Sequence, residues 1–303
     1  MLNIRNVDLN LLVAFDALYD VRNVTRAADR LALTQPTVSG MLTRLRHLFD
    51  DPLFVRTQHG VLPTPRADAL AEPVKALLAD AEALVAPQAF DPASTKMTIS
   101  ISVNDYMQHA LIVPFIKRLR KQAPGIRVAI MPAYIAGLAD RLARGVIDLA
   151  VTVPEFAGPD LPRDLLYTER YVCVARRAHP LKGKKISLED FCRFDHVMVS
   201  PTGGSFTGPT DEALAGLGRN RRVAISLPSF HVMLETVRTD NFLALVPERF
   251  LAGRMSGLKR FEPPILVPDF DVIACWHRRL DADPAQRWIR GLLATVAREM
   301  AVQ

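Results

Sequence analysis

Ala27 to Phe49 read AADRLALTQPTVSGMLTRLRHLF, and how small, polar and apolar residues fall within this stretch decides the fold of the first part of the chain. Thr25, just upstream, is expected to cap a helix over RAADRLA, whose Ala27, Ala28 and Leu31 allow close helix packing. After a short turn at Leu33, Thr34 caps a second helix running to about Phe49. Pro36 falls in its first turn, where a missing N–H costs nothing. At the helical period, Val38, Leu42, Leu45 and Phe49 share one face with Met41 beside it. The opposite face carries Pro36, Gly40, Thr43 and His47, edged by Thr37, Ser39 and Arg44. One side suits a core. The other is short and polar at its start and basic further on.

The flanks support the same unit. Asp8 can cap an earlier helix bearing Leu11, Leu12, Phe15, Leu18 and Tyr19 at three- and four-residue steps. Beyond Phe49, PLFVRTQHGVLPTP gives two extended pieces, Leu53 to Val55 and Val61 to Leu62, around a glycine-containing tip: a small hairpin. Between Val21 and Arg66, seven arginines stand against three aspartates, a local balance of +4. Two capped helices joined by a tight turn, with this charge, match helix-turn-helix geometry. A helix enters a DNA major groove only if its near-groove side chains are short. Gln35 can hydrogen-bond an adenine edge, the Pro36 ring can meet a thymine methyl, and Thr37 and Ser39 can reach bases or phosphates. Thr34, Thr43 and Arg44 on the helix, and Arg56 with His59 on the hairpin tip RTQHG, complete the candidate DNA-contacting set.

From Pro65, PRADALAEPVKALLADAEALV spaces Ala67, Leu70, Val74, Leu77, Ala81 and Leu84 at alternating three- and four-residue steps. That is a heptad seam, read as a dimerising linker helix, with packing on its own domain as the alternative. Pro73 interrupts it and should bend it or remove one bond.

After Lys96 the pattern alternates strand and helix. MTISISV, IRVAIMP, DLAVTV, YVCVAR, HVMVS, RVAISLP, FLALVP and VIACW are strand-like, with helical stretches between most of them. Alternation of this kind argues for α/β sheets, and one late return strand suits two lobes joined by crossing strands. Domain limits follow: 1–66, a linker 67–90, and 91–303, the last split into 91–165 with 268–303, and 166–267. Several polar residues fall where strand passes to helix, a place suited to polar ligand groups. These are Asn104 and Asp105; Thr202, Gly203, Gly204 and Ser205; and Ser229, Phe230 and His231. Each has a structural alternative: Asp105 as a helix cap, His231 as a surface residue, Gly203-Gly204 as a turn.

A chain of 303 residues with 49% hydrophobic content is long and apolar enough for more than one core. Net charge is +6 with a pI near 9.4, which favours a polyanionic partner. Cys173, Cys192 and Cys275 are scattered without metal spacing, as expected for a reduced, cytoplasmic protein needing no cofactor or metal. Neither a secretory leader nor a membrane span is expected. Enzyme signatures fail in detail. GGSFTG places Thr207 where a nucleophile elbow needs glycine, GLGRNR lacks the third glycine of a dinucleotide fingerprint, and KGKK is no phosphate loop. The basic runs KRLRK, RR at 176, KGKK and RNRR read as solvated surface.

AADRLALTQPTVSGMLTRLRHLFDDPLFVR resembles the winged helix-turn-helix signature of LysR-type transcriptional regulators, in its paired alanines, its L..TQP.VS...L..L register and its terminal LF.R. The linker and α/β remainder fall where that family places its linker and effector domain. LRHLFDDPLFVR and ERYVCVARRAHP further resemble the NodD and nitroaromatic-sensor branch, whose ligands are aromatic. The resemblance implies an all-α winged helix-turn-helix domain, a long linker helix and a two-lobed α/β domain like periplasmic binding proteins. It implies a homodimer or homotetramer on double-stranded DNA carrying an interrupted palindrome, a small effector between the lobes, and contact with RNA polymerase. The family's base-contact positions fall on Gln35, Pro36 and Ser39, and its wing position on His59. The resemblance to that branch also implies that Glu169 and Ile273 join the loops named above in lining the cleft. Gly40 and His59 depart from the family, standing where relatives often carry arginine.

Overall fold

The computed structural model describes residues 8–58, 60–85, 90–183, 185–201 and 203–300. Two compact units divide the chain, Met1–Gln88 and Ala89–Gln303.

In the first unit, the Asp8 carboxylate accepts the Asn10 N–H at 3.0 Å and starts helix α1 (Leu9–Val21). Arg22 ends α1 in the left-handed region (φ 53°). Helix α2 (Val24–Arg30) is capped by Asn23, not Thr25: the Asn23 side chain accepts the N–H groups of both Thr25 and Arg26. With Asn23 extended and its amide oxygen over the first turn, Thr25 lies already inside the helix. The turn closes through the Leu33 N–H on the Ala28 carbonyl (2.9 Å), and Thr34 caps α3 (Gln35–Phe49). Ala27 and Ala28 are fully buried, so α2 sits close to its neighbours, and Val38, Leu42 and Leu45 of α3 close the core.

Strands β1 (Phe54–Thr57) and β2 (Gly60–Pro63) form the antiparallel hairpin, and Phe54 packs on Phe15 with ring centroids 5.5 Å apart. The hairpin is tied to the end of α1, where the Arg22 carbonyl accepts the Val61 N–H at 2.8 Å. Gly60 is needed there. Its φ is +139°, and a Cβ would lie 2.3 Å from the Arg22 carbonyl oxygen.

Helix α4 (Pro65–Val85) runs through Pro73. Its seam is not one continuous face. Ala67 and Val74 are buried and Leu70 half-buried against the unit's own core, while the Tyr19 hydroxyl donates to Asp68 at 3.0 Å. Leu77 and Leu84 point away from that core and are exposed, Leu84 by 87%. A straight helix drifts off a 3.5-residue repeat, so the first half of the seam packs locally and Leu78, not Leu77, continues that contact.

The second unit holds two five-stranded sheets. The first has β3 (Met97–Val103), β4 (Ile126–Met131), β5 (Leu149–Thr152), β6 (Arg163–Glu169) and β12 (Phe270–Cys275), in the order β4-β3-β5-β12-β6. The second has β7 (Tyr171–Arg176), β8 (Asp195–Val199), β9 (Arg222–Leu227), β10 (Leu243–Pro247) and β11 (Leu258–Phe261), in the order β11-β7-β10-β8-β9. The chain crosses between lobes at Arg170, where β6 carries the first sheet beyond the 165/166 division expected, and returns into β12. β3 is parallel to β4 and β5, and β8 to β9 and β10, so each lobe presents strand carboxyl ends at one edge. Helices α6 (Val113–Gln122) and α12 (Pro284–Met300) cover the first sheet through Phe115, Leu119, Ile289 and Leu293. Helix α11 (Phe230–Thr239) covers the second through Met233, Leu234 and Val237.

The segment after β3 departs from a simple helix. After β3 the chain makes α5 (Asp105–Met107), then a π-helical turn (Gln108–Ile112), before α6. The wider turn rotates His109 toward the opposite lobe, where its Nε2 meets the Ala252 carbonyl at 3.1 Å. Among the described residues, no helix is long and apolar enough to cross a membrane.

Candidate functional sites

The outer face of α3 is held in order by its own side chains. Gln35 donates from Nε2 to the Ser39 hydroxyl at 2.9 Å, and the Thr34 and Thr37 hydroxyls pair at 2.8 Å. Thr43 donates to the Ser39 carbonyl at 3.1 Å. Thr34, Gln35, Pro36, Thr37, Gly40, Thr43 and Arg44 are all exposed, with nothing within 4 Å of where a Gly40 Cβ would be. A backbone of that kind can approach a flat polar surface closely.

The arginines divide into groups that composition does not distinguish. Arg46 donates to the Pro52 and Phe54 carbonyls and so fixes the turn into the hairpin. Arg30 pairs with Asp20 at 2.8 Å, Arg44 with Asp8 at 3.0 Å, and Arg22 lies over the Tyr19 ring. The Asp8 carboxyl is held below the usual range, first by the Asn10 N–H and further by Arg44. Arg26, Arg56 and Arg66 are exposed, and their guanidinium groups make no hydrogen bond or ion pair among the described residues. His59 lies outside the described residues.

In the second unit, two adjoining cavities of about 280 and 440 Å³ open where the carboxyl ends of β3, β5, β8 and β9 face one another. They share Met107, Val153, Phe156, Val199, Pro201 and Phe230 as apolar walls. Tyr171 and Phe270, 5.0 Å apart, extend the larger one. Asn104 lines both, Asp105 and Ser229 the smaller, and Ser205 the larger.

Asn104, not Asp105, caps its own helix, by accepting the Met107 N–H at 2.9 Å. Asp105 reaches across the cleft instead. Its Oδ2 accepts the Ser229 hydroxyl at 2.7 Å and the His231 N–H at 3.2 Å, so a carboxylate of the first lobe sits on the first turn of α11 in the second. Charge at a helix N-terminus of this sign is favourable.

Other expected residues lie elsewhere. Gly203 and Gly204 form an exposed turn with φ of +81° and +74° and line neither cavity; Thr202 lies outside the described residues. The His231 ring faces Arg254, whose guanidinium bonds both His231 Nδ1 (2.9 Å) and His109 Nδ1 (3.0 Å). Ile273 is buried with Leu138, Leu142 and Ile147, because that side of β12 faces α7 (Leu138–Ala143). Glu169 is 2% exposed beneath the cleft. It accepts the Tyr106 hydroxyl at 2.6 Å and borders a separate hollow of about 840 Å³ with Arg249. Burial pushes the Glu169 carboxyl up, and pushes the Tyr106 hydroxyl up as well. Sequence reasoning missed the aromatic walls. Tyr171 and Phe270 each open a strand and Phe156 lies in the short helix Pro154–Ala157 that follows β5, and that placement beside strand ends was the available signal.

A three-helix reading head with a hairpin, in one chain with a two-lobed cleft, agrees with two family models. One, described as bacterial regulatory helix-turn-helix protein, lysR family, matches residues 9–68; the other, LysR substrate binding domain, matches residues 92–298. The chain belongs to the LysR family. This LysR-family chain is 34% identical to the HTH-type transcriptional activator NagR of a Ralstonia species, over 98% of its own length and 100% of NagR. It is 32% identical to nodulation protein D 1 of Bradyrhizobium sp. (strain NC92), over 98% and 95% of the two chains. Among solved structures, the "probable transcriptional regulator PA0477" of Pseudomonas aeruginosa is similar at 34% identity and a TM-score of 0.61, covering 96% of this chain and 97% of that one. Of these relatives, NagR is a transcriptional activator by name.

Proposed function

We propose that this LysR-family chain is a transcriptional regulator whose DNA binding is set by a small aromatic effector held between the lobes of residues 91–303. Residues 1–66 bind double-stranded DNA, with Gln35, Pro36, Thr37 and Ser39 toward the bases and Arg26, Arg56 and Arg66 toward phosphates. The operator is an interrupted palindrome read by a homodimer or homotetramer. The exposed Leu77 and Leu84 of the 67–90 linker supply apolar surface for that association. The protein acts in the cytoplasm as a regulator, not an enzyme, and passes its signal to RNA polymerase.

The observation that carries this reading is the Asp105 bridge to Ser229 and His231 beside an aromatic-walled cavity. A ligand entering that cavity alters the closure of two lobes already joined there by hydrogen bonds. Closure is thus the two-state element the effector biases. A footprint of the promoter between this gene and its neighbour, taken with and without an aromatic compound that raises the protein's melting temperature, tests it. The protected region or its DNA bend is expected to change when the compound binds. An identical footprint with the ligand demonstrably bound rejects the mechanism.

A further inference from the structure

The cleft holds two partly opposed electrostatic features. Helix α11, ten residues long, aims its N-terminus at it, and such an end ordinarily attracts a ligand carboxylate. Here a carboxylate of the protein already occupies that place. Asp105 Oδ2 takes the Ser229 hydroxyl and the His231 N–H, and the Ser229 oxygen itself accepts the Val232 N–H. On the other lobe, the Tyr106 N–H is taken by Asp105 Oδ1 and the Met107 N–H by Asn104. The His231 and Val232 N–H groups of α11, and the Tyr106 and Met107 N–H groups facing them, thus already have acceptors within the protein.

The side chains give no substitute. Among the described residues lining the two cavities there is no lysine, arginine or histidine. The charged residues there are Asp105 and Glu155, and Glu155 makes no hydrogen bond or ion pair among the described residues. Arg221, bordering a small neighbouring recess, is held by Asp211 through Nε at 2.8 Å and Nη2 at 3.0 Å. Arg254 faces His109 and His231 rather than the cavity. The walls that remain are aromatic and aliphatic. The Tyr171 hydroxyl, on the wall of the larger cavity, makes no hydrogen bond among the described residues. A buried anion beside a like charge, in a site of low dielectric and without a counter-ion, is strongly disfavoured.

Resting on the reading of this cleft as the effector site, we propose that its effector is an uncharged aromatic molecule with a hydrogen-bonding substituent, and that Asp105 is the specificity residue that excludes aromatic carboxylates. The neutral ring packs between Phe156, Phe230 and the Tyr171–Phe270 pair, while its substituent meets the Tyr171 hydroxyl or the Asn104 amide.

The test compares shape-matched pairs on the full-length protein by calorimetry at pH 7.5: benzamide with benzoate, salicylamide with salicylate, phenylacetamide with phenylacetate. Wild type is expected to bind the better amide at least tenfold more tightly than its carboxylate. Asp105→Asn, which keeps an acceptor for Ser229 and His231, should bring the pair to within about threefold. Glu155→Gln, at the exposed first turn of the short helix Pro154–Ala157, should narrow the gap in the same direction and does not disturb the bridge. A carboxylate that binds wild type as tightly as its amide overturns the exclusion while leaving the effector cleft intact. So does a preference that survives both substitutions unchanged. Failure of every compound to bind, neutral or charged, rejects the aromatic effector cleft itself and the inference with it.

Discussion

Arg254 donates from Nη1 to Nδ1 of His231 at 2.9 Å, and so holds that imidazole as a neutral acceptor. The same guanidinium bonds His109 of the opposite lobe, whose Nε2 meets Ala252, so a cation of the second lobe is clasped by rings from both. The Arg254 Nε is buried and unpartnered, so the cluster holds no spare acceptor for it. His231→Leu therefore leaves a second guanidinium donor without a partner. Chemical denaturation at pH 7.5 should show a loss of about 1–3 kcal/mol, with His231→Gln recovering part of it. The His231 pKa lies below the ordinary histidine value, first through burial and then through Arg254, against the opposing charges of Asp105 and Glu235 and with His109 adding to the shift. A folded-state value below the unfolded one means this contribution is full above pH 6.5 and declines as pH falls below it.

His196 predicts a sharper acid response. Burial, and after it Arg221, pushes its pKa down to about 4, and its ring bridges the Phe191 carbonyl and Arg221. The folded protein binds fewer protons here than the unfolded chain between about pH 6.5 and pH 4. Stability should fall across that window by about 3 kcal/mol. His196→Gln should flatten the profile of melting temperature against pH, and an unchanged slope would reject the assignment.

On DNA, Arg56 and Gln35 should behave differently. Arg56→Ala removes an exposed guanidinium that no carboxylate partners among the described residues, so binding should weaken on every sequence and the salt slope should drop by about one. Gln35→Ala should instead relax base preference and keep the slope. Arg44→Ala should change the slope less than Arg56→Ala, because Asp8 already partners Arg44. Gel shifts across a salt series on matched and mutated operators decide among these outcomes.

Two glycines of the reading head make opposite forecasts. Gly40→Arg enters open space on an exposed helix face, so it should stabilise the domain by up to about 1 kcal/mol and tighten operator binding. Gly60→Ala must move the hairpin off the Arg22 carbonyl, since its Cβ would lie 2.3 Å away. Thermal melting should show a loss greater than about 1 kcal/mol, with weakened DNA binding from the displaced hairpin.

The reading head was largely legible in the sequence because its determinants are local. Asp8 and Thr34 cap helices through N–H groups two and three residues away, and Val38, Leu42 and Leu45 reach the core by period alone. Thr25 misled because Asn23, two residues earlier, takes the cap: it accepts the N–H groups of Thr25 and Arg26 in an extended conformation, so the helix starts before Thr25. The linker misled differently. Its heptad spacing is real, but Tyr19, Asp68 and the α1 face draw Ala67, Leu70 and Val74 into the domain and leave only Leu77 and Leu84 outward. In the cleft, Asn104, Asp105, Ser205, Ser229 and Phe230 stand on the cavity walls because strand ends dictate it. Glu169 and Ile273 do not, because strand alternation turns each toward a different packing layer.

The sequence by itself determined the caps, the helical faces, the α/β alternation and the family, since each depends on residues a few positions apart. Only the tertiary structure decided which arginines keep free charge and which way Asp105 faces. Asp105 could cap its own helix by spacing alone. Yet Asn104 takes that role, and Asp105 finds its partner 124 residues away, on a helix brought near by the packing of two sheets. Hydrogen-bond donors left at a helix end are satisfied by whichever acceptor the fold delivers, and no local pattern records that choice.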